Sequence, residues 1–128
     1  MPRRGRQRPS RNGAEGALYR RIVKAVISRD FGVCHICGHP GANSADHLVP
    51  VTERPDLALN AANLKAAHGS PRPCPTCSAA AVARGGKPVY CNEVKQGWST
   101  ERARRLIEQR TGLALVRDKS QPGGEREW

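Results

Sequence analysis

Residues 34–50 read Cys34-His35-Ile36-Cys37-Gly38-His39-Pro40-Gly41-Ala42-Asn43-Ser44-Ala45-Asp46-His47-Leu48-Val49-Pro50. Two cysteines with two residues between them present both sulfurs from one backbone bend, and Gly38 relieves the turn after the second. Ala45 to Val51 follows with a short, partly alternating apolar pattern that predicts a strand, closed by Pro50 nearby. Upstream, Leu18, Ile22, Val23, Val26 and Ile27 recur at helical spacing over 14–30, and Gly32 sits just past the end. Downstream, 52–62 reads as a connection, and Asn63-Leu64 opens a short segment ending at His68-Gly69. Residues 69–90 read as an elaborated loop with Cys74-Pro75-Thr76-Cys77, a small alanine patch, Gly85-Gly86 and Pro88. Ser99 can cap a helix through Arg110, with Gly112 as its stop. The coarse result is an α+β domain: helix, knuckle, short hairpin, second knuckle, helices.

The rest of the chain sets what such a domain can be. It has 128 residues, with 4% aromatic side chains. Residues 1–13 form a basic arm expected to be disordered, with Arg3, Arg4, Arg6, Arg8 and Arg11 and no acid; residues 113–128 form a polar C-terminal tail. The folding unit is therefore 14–112, and its lean core calls for a metal or covalent staple. A net charge of +11 points to a polyanion, with nucleic acid the commonest. No apolar run approaches a spanning length and no amphipathic basic helix carries bulky aromatic anchors, so no membrane association is expected. The N-terminus lacks the apolar stretch of a signal peptide, and a cytoplasmic location is expected.

Five cysteines stand at 34, 37, 74, 77 and 91. An odd count without a secretion signal argues against a disulfide framework, and two C-x-x-C pairs argue for structural zinc. No thioredoxin-like βαβ pattern surrounds either pair. Spacing leaves the ligand set open. Cys34, Cys37, Cys74 and Cys77 make one set; Cys34, Cys37 and Cys91 closed by Cys74, Cys77 or His68 make another.

Taken together, Cys34-x-x-Cys37, Asp46-His47-Leu48-Val49-Pro50, Asn63-Leu64, Ala67-His68 and Cys91-Asn92-x-x-Lys95 resemble the HNH endonuclease family, most closely its small phage-encoded members. The resemblance covers about residues 31–97. It implies a small zinc-bound ββα-metal core with flanking N- and C-terminal helices, hydrolysing phosphodiester bonds of double-stranded DNA. In that family's pattern His47 is the general base, and Asp46 and Asn92 hold a catalytic Mg²⁺ or Mn²⁺. Asn63 supports the loop that orients the histidine, and Lys95 meets the phosphate. Asn92 stands where a histidine is more usual, and about twenty residues separate His68 from Cys91 where many members have a few. For a phage-encoded chain the compartment is the host cytoplasm.

Adjacent residues of a regular strand point to opposite faces, so Asp46 and His47 serve one phosphate only from a bulge or a strand end. The arginines at 3, 4, 6, 8 and 11, and those at 102, 104, 105 and 110, are read as phosphate contacts, with a solvated face beside Glu101 and Glu108 an equal reading for 102–105. The other reading of the same pattern is a non-catalytic zinc-ribbon DNA-binding protein. A variant of it is a phage packaging accessory that contacts a large terminase.

Overall fold

In the computed structural model, residues 13–96 and 99–116 are described. Helix α1 runs Gly13–Arg29, strand β1 Ser44–His47 and strand β2 Leu64–Ala67. Helices α2 (Pro75–Ala83), α3 (Cys91–Lys95) and α4 (Thr100–Thr111) follow. The two strands pair antiparallel in an unbroken register from Ser44 opposite Ala67 to His47 opposite Leu64. Between them lie two single 3-10 turns, Pro55–Leu57 and Ala61–Asn63. The expected basic arm, apart from Gly13, which opens α1, and most of the expected C-terminal tail lie outside the described residues.

Helix α1 covers one face of the hairpin because its apolar positions recur on one side. Val26 packs with Ala45 and Leu64, flanked by Ile22 and Val23. Its C-terminal end is pinned by polar bonds. Arg29 Nη2 donates to Leu64 O at 2.6 Å and Nη1 to Ala61 O at 3.0 Å. The Asp30 carboxylate accepts from Ala66 N at 2.9 Å. The chain then reverses through Gly32 at φ +70° and enters the first cysteine turn.

That turn, 34–39, is closed by Gly38 N donating to Cys34 O at 2.8 Å, with Gly38 at φ +80°. A residue bearing a Cβ is strained there, which is why glycine follows the second cysteine. Helix α4 clamps the turn from outside: Arg104 donates from Nε to Ile36 O at 2.9 Å and from Nη2 to His35 O at 2.7 Å. Arg104 was grouped by its sequence with phosphate-binding arginines; its guanidinium instead satisfies two knuckle carbonyls. The cap on α4 is as expected, Ser99 Oγ accepting from Arg102 N at 3.1 Å and Gly112 left-handed at φ +76°.

The 69–90 segment differs from its reading as a loop. It contains α2, whose first turn is capped by a sulfur: Cys74 Sγ accepts from Cys77 N at 3.3 Å. Pro75 fits the first helical position, and Ala79, Ala80 and Ala81 have high helix propensity. Glycines and prolines flanking the run masked these signals. The larger core is built around the five cysteines with Ile36, Ala67, Ala81, Val89, Val94, Ala103, Ile107 and Leu115. No helix among the described residues is long and apolar enough to cross a membrane.

Candidate metal centre and Asp-His site

All five sulfurs are buried and none is in a disulfide. They arrive from separate elements: Cys34 and Cys37 from the first turn, Cys74 and Cys77 from the start of α2, Cys91 from the start of α3. His68, just beyond β2 and 0% exposed, joins them. Cys34, Cys37, His68 and Cys91 form one group whose ligand atoms all lie within 4.8 Å of one another; Cys37, Cys74, Cys77 and Cys91 form a second. Either group could hold a metal ion, and thiolate with imidazole is the donor chemistry zinc favours. The two C-x-x-C pairs do not combine into one such group among the described residues, because Cys34 is not in the group that holds Cys74 and Cys77. Cys91 belongs to both.

The His68 ring is set for ligation. Its Nε2 lies 2.9 Å from Pro40 O, so Nε2 carries the proton and Nδ1 presents its lone pair. Nδ1 lies 3.5 Å from Cys37 Sγ and 3.7 Å from Cys91 Sγ. The electrostatics of the bare protein show what a cation would relieve. Hydrogen bonding to Cys34 pushes the Cys37 and Cys91 thiols up, while bonds from Cys37 draw Cys74 and Cys77 down. Burial opposes ionisation of Cys34, yet bonds from Cys37, Cys91 and His68 hold it well below the usual thiol range. Burial would also lower His68, but the sulfurs of Cys34 and Cys74 raise it to about 10. Five buried sulfurs cannot all be anionic without a compensating dication.

Asp46 and His47 lie on opposite faces of the hairpin. No bulge interrupts β1, and the register is regular through both; the expected exception is met only in that β1 ends at His47. His47 turns toward α1, where its ring stacks on Tyr19 with centroids 6.3 Å apart. Its Nε2 lies 3.0 Å from Ala58 O in the inter-strand connection. Asn63 braces that connection: Oδ1 accepts from Val49 N at 2.8 Å, and Nδ2 donates to Val49 O at 3.1 Å.

The Asp46 carboxylate faces the other way and is closed in. Its Oδ2 is 2.9 Å from His35 Nε2 and 3.2 Å from Lys95 Nζ. Lys95 was expected to meet a phosphate. It is instead 1% exposed, and its ammonium lies against Asp46 and, at 3.4 Å, His47 O. Asn92, three residues before Lys95 on α3, donates its backbone N–H to His68 O at 2.9 Å and is partly buried. His35 is thus a partner of Asp46. The middle residues of a C-x-x-C turn point away from the converging sulfurs, a signal that excludes His35 from the cluster without saying what it meets. Tyr19 carried no signal beyond its place on α1.

No family model, no curated protein and no solved structure matches the chain. Function is therefore argued from the chemistry of these two sites.

Proposed function

We propose that the chain is a metal-dependent HNH-type endonuclease that hydrolyses phosphodiester bonds of double-stranded DNA, with His47 as general base. The observation that carries this is the orientation of the His47 ring. With Nε2–H directed at Ala58 O, Nδ1 keeps its lone pair and can accept a proton from water. The carbonyl also steadies the imidazolium that forms, and Asn63 holds the connection that supplies it.

Asp46 gives the second support. The carboxylate is buried, and its contacts with His35 and Lys95 both fall on Oδ2. Oδ1 and the Asn92 side-chain oxygen would hold Mg²⁺ or Mn²⁺, hard cations suited to oxygen donors. When bound, such an ion stabilises charge on the scissile phosphate and the leaving oxygen. The net charge of +11 suits a DNA substrate.

Two observations favour a non-catalytic reading as well. The unbulged β1 turns Asp46 and His47 to opposite faces of the hairpin, away from a shared phosphate. The Asp46–Lys95–His35 group is internally satisfied, as expected of a structural element in a zinc-stapled DNA-binding or packaging accessory protein. Plasmid cleavage with Mg²⁺ or Mn²⁺ separates the two, comparing wild type with His47→Ala at matched DNA binding. Cleavage by wild type alone supports the nuclease. If both proteins bind equally and neither cuts with any divalent metal, the nuclease assignment is lost.

A further inference from the structure

We infer that the buried sulfur cluster binds two zinc ions, with Cys37 and Cys91 bridging them. The first ion takes Cys34 and His68 as its own ligands, the second Cys74 and Cys77.

Ligand number is the starting point. Zinc in structural sites is four-coordinate, and six side chains converge here in two groups of four that share Cys37 and Cys91. Two tetrahedra joined along an edge need six ligands, two of them held in common. Thiolate sulfur has the lone pairs to bridge; imidazole does not. The two shared residues are both cysteines, and the only imidazole in the groups is terminal.

The distances agree with this. Bonds of ~2.3 Å to sulfur and ~2.05 Å to nitrogen give tetrahedral edges of about 3.8 Å between sulfurs and about 3.6 Å between sulfur and nitrogen. In the first group, His68 Nδ1 lies 3.5 Å from Cys37 and 3.7 Å from Cys91. In the second, Cys37 and Cys74 are 3.9 Å apart.

A single ion leaves part of the cluster without a role. With Cys34, Cys37, His68 and Cys91 around one zinc, Cys74 and Cys77 would remain as thiols, each 0% exposed. Their surroundings are those of anions. Cys74 Sγ accepts from Cys77 N at 3.3 Å, and His39 Nδ1 lies 3.6 Å from Cys74 Sγ and 3.4 Å from Cys77 Sγ. Donors aimed at buried sulfur suit metal-bound thiolates. With both ions bound, five thiolates, two dications and a neutral imidazole carry one net negative charge. The Cys77 N–H and the His39 ring face that charge. The inference does not depend on the nuclease assignment.

Native mass spectrometry of the full chain tests it, after dialysis against a weak chelator that removes surface zinc. Two zinc ions per chain are expected, falling to one in a Cys74→Ser/Cys77→Ser double variant. Cadmium NMR of the fully exchanged wild type should show two resonances, each split by coupling through the shared sulfurs. One zinc per chain in wild type overturns the inference, as do unsplit resonances or a double variant that still holds two ions. Wild-type stoichiometry and splitting decide the matter even where the double variant does not fold.

Discussion

Lys95 Nζ lies 3.2 Å from Asp46 Oδ2, and the two side chains are 1% and 7% exposed. An ion pair so far from water holds together two elements that otherwise share few apolar groups: β1, carrying the Asp-His dipeptide, and the five-residue α3, carrying a cysteine ligand candidate. Removing one partner leaves the other charged and buried, which typically costs about 3–5 kcal/mol. Lys95→Met and Asp46→Asn are each expected to destabilise the zinc-loaded protein on that scale. The Asp46→Asn/Lys95→Met double variant should be markedly less destabilised than the sum of the two. Urea unfolding of the four proteins checks this; simple additivity would show that the pair is not coupled.

Asn63 supports His47 indirectly, by holding the connection whose Ala58 carbonyl meets the ring. Asn63→Ala removes both bonds to Val49 and leaves that residue's N–H and C=O to find water. A stability loss of about 1–3 kcal/mol is expected. If the nuclease assignment holds, plasmid cleavage should fall by at least about tenfold at a temperature where the variant is fully folded. His47→Ala should fall by about a hundredfold or more, with DNA affinity unchanged in both. Unchanged cleavage in Asn63→Ala would mean that the connection between the strands does not position the histidine.

The cysteine centre is the core of the larger hydrophobic cluster, so metal and fold should be lost together. Chelation of zinc with a strong chelator is expected to collapse the far-ultraviolet circular dichroism signal in a single transition, restored by added zinc. Cys37→Ser and Cys91→Ser should be the most damaging cysteine substitutions, because both residues belong to both four-ligand groups. A Cys91→Ser protein with full zinc content and wild-type stability would remove it from the centre.

What the sequence made legible follows from how local each signal is. The first turn, the α4 cap and most of the apolar stripe of α1 are set by neighbours within four or five residues and stand where periodicity and turn chemistry put them, Leu18 excepted, which is exposed. Helix α2 was hidden because its cap is a sulfur and its body mostly alanine, so no apolar periodicity marks it. The second zinc-type pair was visible, but its partners were not. Which sulfurs meet depends on the path from His68 through α2 to Cys91, a tertiary matter. The polar partners were the least accessible. Arg104 on the knuckle carbonyls, Lys95 buried on Asp46 and Tyr19 on His47 each join residues more than twenty-five positions apart. Charge in a sequence says that a partner is needed; it does not say whether that partner is a phosphate or the protein itself.

Asp30 offers a test that leaves both candidate sites untouched. Its carboxylate ties the end of α1 to β2 through Ala66 N and pairs with Arg29 at 2.8 Å. Burial alone would raise its pKa, but hydrogen bonds from Arg29 and Ala66 N–H, with the charges of Arg29 and Lys65, outweigh it and hold the pKa below the ordinary carboxylate range. A folded pKa below the unfolded one means that the unfolded chain binds the proton more readily. The contribution is therefore fully present above the ordinary carboxylate pKa and is lost as pH falls through the lowered one. The group is partly open to solvent, so screening limits the effect to about 1 kcal/mol or less. Asp30→Asn should lower stability by that amount at neutral pH, and the difference from wild type should shrink on acidification, before zinc release unfolds both proteins. Unfolding curves at several pH values check the convergence. A gap that stays constant down to acid would show that Asp30 acts through its shape or its bond to Ala66, and not through its charge.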